Sequence, residues 1–319
     1  MGSFLRLLKK FAIPAFLAAA VLTALLSFGN LRSVGSAFTQ MRFAWIPFIL
    51  LLAFCNYLVR FVRWHWYLRL TGVSLTVRQS WVVFFSGLAL SVTPGKFGEA
   101  VKSFFVKKLT GVPVHATLPV VFAERLTDLL SVLLLAAIGV SGFQYGSTIV
   151  WIGIAVVVTI FIVVMNPRVA QYCLDMLGRV AFLHNTSDNI RKVHAGAARL
   201  LAFRPLAIAL ILGIVAWLCE CVAFFLTLQA FGLSLLDLRA AIFLYAFSTL
   251  VGAVTLLPGG IGTTEGSMAG LLALHGVPKE LASAATIVIR LATLWFAVGL
   301  GLLFFLPNRK LLTQTSHES

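Results

Sequence analysis

Charged residues interrupt the apolar stretches of this chain at two places that resemble each other. Glu99 ends the segment Ser-Val-Thr-Pro-Gly-Lys-Phe-Gly-Glu, Glu265 ends Leu-Pro-Gly-Gly-Ile-Gly-Thr-Thr-Glu, and Arg125 and Arg290 follow in apolar segments. A carboxylate inside a membrane is costly and by default marks a functional site. An opposite charge nearby keeps both groups ionised and lowers the penalty of burial. We therefore expect Glu–Arg pairs, within or across the two halves, around a central cavity.

Both motifs place a Pro-Gly pair and a further glycine just before the glutamate. These residues are Pro94, Gly95 and Gly98 in the first motif and Pro258, Gly259, Gly260 and Gly262 in the second. Proline removes a backbone donor and glycine relaxes the helix, so each motif should interrupt a helix. Irregular backbone at membrane depth persists only where protein or a water-filled cavity satisfies it. One such break in each half is typical of a transporter's substrate site, and exposed helix N-termini would attract an anion such as phosphate.

The first half carries more charge near its break than the second. Lys96, Glu124 and Asp128 roughly correspond to Ile261, Ile289 and Thr293 in the second half, so we expect the first break to bind a polar headgroup. The arginines could bind a phosphate through two parallel hydrogen bonds, and the carboxylates could bind a cation. The predicted substrate-binding residues are Lys96, Glu99, Glu124, Arg125, Asp128, Glu265 and Arg290.

A purely structural role is the alternative for these charges, which would then only hold the broken helices in the bundle. For Glu220, Arg60 and Arg63 the two interpretations are balanced, because arginines near a helix end can extend to the membrane interface.

Composition indicates a membrane protein. Hydrophobic residues make up 60% of the chain and charged residues 11%, far from the values of soluble proteins. The net charge of +15 comes from basic residues at helix ends and in loops, which indicates orientation and contact with anionic lipid rather than nucleic-acid binding. The four cysteines and six histidines form no metal-ligand pattern, and the sequence has no nucleotide-binding fingerprint. We expect no metal and no cofactor.

The hydropathy pattern predicts an all-α polytopic membrane protein that forms a single domain. Six crossing helices and two re-entrant hairpins are expected, and a connector at about 166–204 holds an amphipathic helix that lies on the membrane or is simply solvated. The crossings are predicted at 11–29, 45–62, 117–140, 149–165, 206–231 and 281–306, and the hairpins at 81–106 and 240–275.

An internal duplication relates residues 45–140 to residues 206–306. Gly-Val-Pro follows both breaks, ending at Pro113 and Pro278, and Arg125 and Arg290 each lie twelve residues further on. Six crossings put both termini on the side that carries most basic residues, which the positive-inside rule assigns to the cytoplasm. The two repeats would then be inverted, an arrangement that suits alternating access.

The two Pro-Gly motifs and the segment Glu-Arg-Leu-Thr-Asp at 124–128 resemble the lysylphosphatidylglycerol synthase transmembrane-region family, also called flippase-like. The resemblance covers nearly the whole chain. In bifunctional members such a region moves an aminoacylated phospholipid across the cytoplasmic membrane, and a soluble aminoacyl-transferase domain follows it. Because this sequence ends at Ser319, we expect a stand-alone member without synthase activity. Other stand-alone members are associated with polyprenyl-linked sugars or hopanoid lipids.

The resemblance implies that Glu99, Glu124, Arg125, Asp128 and Glu265 line a translocation cavity. The leading hypothesis is a lipid flippase or transporter of the cytoplasmic membrane that acts on a phospholipid, a polyprenyl-linked lipid or a hopanoid-type lipid. A membrane enzyme that uses Glu99 or Glu124 as general base is a second hypothesis, although no paired acid is evident. A subunit that supports a lipid-modifying enzyme partner is the third.

Overall fold

A computed structural model describes residues 21–93 apart from 23, residues 98–139 and 187–313, and the isolated positions 151, 155, 159 and 166. All regular elements among these residues are helical, and residues 24–28 form the end of a helix ahead of them. The helices are α1 (Leu31–Thr39), α2 (Ile46–Leu70), α3 (Val77–Leu88), α4 (Val101–Thr110), α5 (Val114–Gly139), α6 (Ser187–Leu200), α7 (Phe203–Ala230), α8 (Leu238–Val254), α9 (Thr263–Leu274), α10 (Lys279–Arg290) and α11 (Phe296–Thr313). The all-α prediction is therefore confirmed for the described residues.

Three helical stretches are long and apolar enough to cross a membrane. They are Phe43–Leu70, Phe203–Ala230 and Lys279–Leu312, and the last of them joins α10 to α11 through a π-helical turn at Leu291–Trp295. The 26 residues of α5 would extend about 39 Å at 1.5 Å per residue, but α5 carries three charges near its middle. Most residues of the predicted crossings at 149–165 and 11–29 lie outside the described residues, so the count of six crossings stays a prediction.

The helices on either side of each Pro-Gly motif pack against each other. Helices α3 and α4 have 12 and 10 residues, or about 18 and 15 Å, which is short of a hydrocarbon core of about 30 Å. They pack against each other, as do α8 and α9. The second turn uses glycines where the backbone is left-handed, with φ of 60° at Gly259 and 66° at Gly260, because side chains disfavour that conformation. Whether these hairpins are re-entrant stays a prediction.

The packing of the helices is reciprocal between the two halves of the chain. Helix α2 packs against α7, which is its counterpart in the duplication. Helix α3 of the first half packs against α11 of the second, and α8, the counterpart of α3, packs against α5, the counterpart of α10 and α11. Exchanging the two halves therefore reproduces these contacts. The pattern supports the duplication, and the inverted orientation of the repeats stays a prediction.

Three features differ from those expected, and one of them is that α11 ends at Thr313 rather than at 306. Helix α2 continues eight residues past its predicted end at 62, because Trp64, Tyr67 and Leu68 are buried against the bundle. The segment expected to be a loop before α2 contains α1, whose Asn30 side chain caps its N-terminus and whose Val34 is fully buried. An amphipathic stretch of nine residues was too short for its apolar face to be recognised from sequence.

The connector forms a helix, α6, as expected. It packs against α5, where Ala197 and Leu200 are buried and Gly196 lies against Pro119 so closely that a Cβ there would come within 2.6 Å of the ring. One face of α6 is therefore covered by the bundle, and its contact with a membrane surface stays a prediction.

Candidate functional site

A cavity of about 270 Å³ lies between the two halves of the chain. Helices α2 and α5 of the first half and α7, α8 and the π-helical turn of the second half form most of its wall, together with backbone of the second break at Gly259 and Gly260. Six ionisable side chains line it, namely Arg60, Glu99, Arg125, Asp128, Glu220 and Arg290. Such a concentration of charge among apolar helices is costly unless the charges pair.

Glu99 lies where the first break ends and is contacted by cations from three helices. Its Oε2 lies 2.9 Å from Arg125 Nη2 and 3.7 Å from Lys102 Nζ, and its Oε1 lies 3.5 Å from Arg60 Nη2. The residue is only 2% exposed. Gly98 precedes it, and the Gly98 N–H donates to the Thr93 hydroxyl at 2.7 Å, which fixes the backbone at the end of the break.

Asp128 lies one turn beyond Arg125 on α5. It contacts Arg60 and Arg125, which also contact Glu99, and in addition Arg63. Its Oδ1 accepts from Arg63 Nη2 at 2.5 Å and from Trp217 Nε1 at 3.2 Å. Its Oδ2 lies 3.0 Å from Arg125 Nη2 and 3.9 Å from Arg60 Nη2. Asp128 therefore joins α2, α5 and α7 through one carboxylate.

Lys102 and Glu124 form a pair behind Glu99. Lys102 Nζ donates to Glu124 Oε2 at 2.7 Å and lies 4.3 Å from the centre of the Trp64 ring, a distance suited to a cation–π interaction. Lys102 is 1% exposed and Glu124 0%, and neither lines the cavity. Gly87 on α3 makes room for the lysine, because a Cβ there would come within 2.6 Å of its stem.

Within the part of the chain that the structure describes, the second half has one ion pair, which is attached to the break itself. Arg290 Nε donates to Glu265 Oε1 at 2.6 Å, and its Nη2 donates to the Gly259 carbonyl at 2.7 Å. The other oxygen of Glu265 accepts the Gly262 N–H at 2.7 Å, so the carboxylate also caps α9. This pair therefore fixes the geometry of the second break.

Two tyrosines complete the polar wall. The Tyr245 hydroxyl donates to Glu220 Oε2 at 2.6 Å, and the Tyr57 hydroxyl donates to the Thr293 carbonyl at 2.5 Å. Thr293 lies in the π-helical turn, an irregularity that often occurs at functional sites.

The structure brings together most of the residues selected from the sequence. Glu99, Arg125, Asp128 and Arg290 line the cavity, and the Glu–Arg pairs form within each half rather than across the halves. Glu265 is buried and does not line the cavity itself, but it pairs with Arg290, which does. Glu124 pairs with Lys102 and is not part of the wall either. Pro258 is buried in the second break. Pro94, Gly95 and Lys96 lie outside the described residues.

The sequence pattern did not single out Lys102 or Trp217 as site residues, and from it the roles of Arg60, Arg63 and Glu220 stayed undecided. A signal for the arginines was present, because Asn56, Arg60, Arg63 and Tyr67 recur at helical spacing and all are buried on one face of α2. For Lys102 the signal was its position three residues after Glu99. Among the residues that the structure describes, no group of three histidine, cysteine or carboxylate side chains could hold a metal ion.

Comparison with known proteins assigns the chain to a family. The family described as "Lysylphosphatidylglycerol synthase TM region" matches residues 11–301. A UPF0104 membrane protein of Methanothermobacter thermautotrophicus is 29% identical over 269 residues, which cover 77% of this chain and 78% of the relative. One from Pyrococcus horikoshii is 27% identical over 305 residues, covering 85% and 90%. The protein therefore belongs to the family of the lysylphosphatidylglycerol synthase transmembrane region, whose curated relatives here are UPF0104 membrane proteins.

Proposed function

We propose that this protein is a lipid flippase or lipid transporter rather than an enzyme. A polar or charged headgroup would pass through the central cavity while its acyl or prenyl tails remain in the bilayer. The observation that carries the proposal is the cavity itself, since side chains from both halves place six ionisable groups around it. Buried charges in a membrane bundle typically mark a substrate or ion pathway, and broken helices at the interface of two repeats typically form a transporter's binding site.

The pairing pattern suggests how the cavity changes state. Arg125 is shared between Glu99 and Asp128, at 2.9 and 3.0 Å, and its side chain is 24% exposed, whereas that of Glu99 is 2% exposed. A headgroup can therefore reach Arg125 and compete with a carboxylate for it without first unpacking the bundle. Exchange of such partners alters the contacts between α4, α5 and α2, which is the differential interaction that a conformational change requires.

The charge distribution supports a location and an orientation. The two repeats would be inverted in the cytoplasmic membrane with both termini in the cytoplasm, and the two hairpins would enter from opposite faces and alternate access to the cavity. The cargo would be a phospholipid, a polyprenyl-linked lipid or a hopanoid-type lipid.

Lipid movement by the purified protein in vesicles tests the proposal. Vesicles that contain a trace of fluorescent lipid would be treated with a membrane-impermeant quencher, and the quenchable fraction would rise from one half towards one if lipid crosses the bilayer. We expect movement with the unaltered protein and its loss in Glu99→Gln and Arg125→Ala.

Asp237→Asn is the matched control, because Asp237 is exposed and caps α8 by accepting the Ala240 N–H at 2.8 Å, and asparagine caps a helix equally well. No movement above that in protein-free vesicles would refute the proposal. Chemical conversion of the lipid would indicate an enzyme, and movement only in the presence of another protein would indicate an accessory subunit.

A further inference from the structure

The hydrogen-bonding capacity of the cavity is unequal between its carboxylates and its arginines. Both oxygens of Glu99 and both of Asp128 lie within 4 Å of a guanidinium or ammonium nitrogen. The third carboxylate of the wall, Glu220, accepts the Tyr245 hydroxyl. The carboxylates of the wall are therefore charge-paired or hydrogen-bonded, although Asp128 Oδ2 accepts no hydrogen bond among the described residues, and a cationic headgroup would have to compete for them with an arginine or a lysine.

The arginines, in contrast, have donors without acceptors. Arg60 has a side chain that is 7% exposed, and its approach to Glu99 and Asp128, at 3.5 and 3.9 Å, is too long for a hydrogen bond. Its Nε and Nη2, and the Nε of Arg125, have no hydrogen-bond partner among the described residues. A guanidinium carries five N–H donors in a planar fork, and a buried donor without an acceptor is unfavourable by itself.

The opposite wall adds one arginine and a helix N-terminus, both of which contact the Glu265 carboxylate. Gly260 and Thr264 line the cavity; Gly260 precedes α9, and Thr264 lies in its first turn, which begins at Thr263. The N-terminus of a helix carries a partial positive charge that favours anions. Arg290 lies on the same side of the cavity.

We infer that the cavity selects an anionic lipid headgroup that carries a phosphate, and that Arg60 and Arg125 bind its oxygens. A phosphate supplies several strong acceptors in a geometry that matches the guanidinium fork, which is what this wall lacks. The inference rests on the proposed function, since it names the class of headgroup that the transporter moves. The inference also makes Arg60 a substrate-binding residue. In the alternative role considered from the sequence, its side chain would extend to the membrane interface and lie outside the site.

Ligand binding in detergent tests the inference without transport. Thermal unfolding of the purified protein would be followed against increasing octyl phosphate and, separately, octyltrimethylammonium. We expect octyl phosphate to raise the unfolding temperature in a saturable way, and octyltrimethylammonium to have no such effect. Arg60→Gln should raise the half-saturating concentration of octyl phosphate by about ten- to a hundredfold, as for a hydrogen bond to a charged group.

Arg63→Gln is the matched control, because Arg63 contacts Asp128 in the same network but does not line the cavity. It removes the same charge and should lower the unfolding temperature of the free protein while leaving the half-saturating concentration close to that of the unaltered protein. Equal weakening of octyl phosphate binding by both variants, saturable stabilisation by octyltrimethylammonium alone, or no saturable effect of either compound would each overturn the inference.

Transport measurements separate this inference from the proposed function. Tail-labelled phosphatidic acid, phosphatidylcholine and a trimethylammonium lipid with matched tails would be compared in the same vesicles. We expect phosphatidic acid to cross at least tenfold faster than the cationic lipid. If the cationic lipid crosses equally fast or faster, the inference fails and the transporter remains. If no lipid crosses but octyl phosphate still binds through Arg60, the transporter is refuted and the anion site remains.

Discussion

Asp128→Asn is the perturbation that most directly tests whether the first-half charges act as one buried unit. Asparagine has nearly the shape of aspartate and can still accept from Arg63 or Trp217, but it removes the charge that faces three arginines. Arg63 would be affected most, because its side chain is 1% exposed and Asp128, at 2.5 Å, is its one ion-pair partner among the described residues. The substitution would therefore leave a buried guanidinium without a carboxylate partner.

The expected loss of stability follows from that uncompensated charge. Removing one partner of a buried ion pair typically costs about 3–5 kcal/mol. Each kcal/mol lowers the unfolding temperature of a protein of this size by about 2 °C, so the decrease should be about 6–10 °C. A surface ion pair would contribute about 1 kcal/mol or less, and the two cases are separated by several degrees.

Thermal unfolding in a non-ionic detergent measures the difference, with Asp237→Asn as the control for the same change of side chain at an exposed position. The double variant Asp128→Asn/Arg63→Gln should lose less stability than the sum of the losses in the two single variants. The reason is that the second substitution removes the charge that the first left unpaired. A decrease for Asp128→Asn no larger than that of Asp237→Asn, or strict additivity in the double variant, would refute the description of the network as a coupled, buried unit.

Three further predictions concern the second break and the response of the network to salt. Glu265→Gln should lower stability by about 1.5–3 kcal/mol, because Arg290 then lacks a charged hydrogen-bond partner. Glu265→Ala should lower it by about 1 kcal/mol more, since alanine also removes the N-terminal cap of α9. Equal losses in the two variants, measured by thermal unfolding, would contradict the capping role. Gly260→Ala should lower stability by about 1–2 kcal/mol from its left-handed backbone alone, with a further loss because its Cβ would come within 2.5 Å of the Thr264 hydroxyl. Gly270→Ala, whose Cβ would meet nothing within 4 Å, should be neutral or stabilising, and a similar loss in both would contradict this account. The decrease caused by Asp128→Asn should be the same at 0.1 M and 1 M potassium chloride, because buried pairs are weakly screened, and a decrease that vanishes at high salt would place the network at the surface.

The sequence predicted Glu–Arg pairs because charged residues are rare in this chain. Each charged side chain within an apolar segment therefore needs an opposite charge nearby. Glu99, Arg125, Glu265 and Arg290 were selected from spacing and the Pro-Gly breaks, with pairing within or across the halves left open, and the pairs that form lie within each half, at 2.9 Å for Glu99 with Arg125 and 2.6 Å for Glu265 with Arg290. Their assignment as substrate-binding residues goes beyond geometry and stays a proposal.

Tertiary packing explains what could not be predicted. Arg60 and Arg63 follow an apolar run and precede two tryptophans, which is the usual pattern of a membrane interface. They belong to the bundle interior instead because α2 continues to Leu70 and turns them towards α5 and α7. Asn56, four residues before Arg60, fixes that rotation, since its amide donates to the Ala216 carbonyl of α7 at 2.8 Å. Local sequence cannot show which face of a uniformly apolar helix meets a partner.

The two halves use charge differently, and this difference relates the cavity to the hairpins. In the first half four cations and three carboxylates share their contacts, so a guanidinium can exchange partners while the others remain paired. In the second half Arg290 binds the Glu265 carboxylate and the Gly259 carbonyl together, and Glu265 holds the Gly262 N–H. Displacing Arg290 therefore disrupts the break itself, because the same two residues hold its backbone on both sides. A ligand that draws Arg290 into the cavity would loosen the second hairpin, whereas a phosphate bound by Arg60 and Arg125 would leave Glu99 of the first hairpin paired with Lys102. Because of this asymmetry, the second hairpin is the element whose position should depend most strongly on the ligand in the cavity.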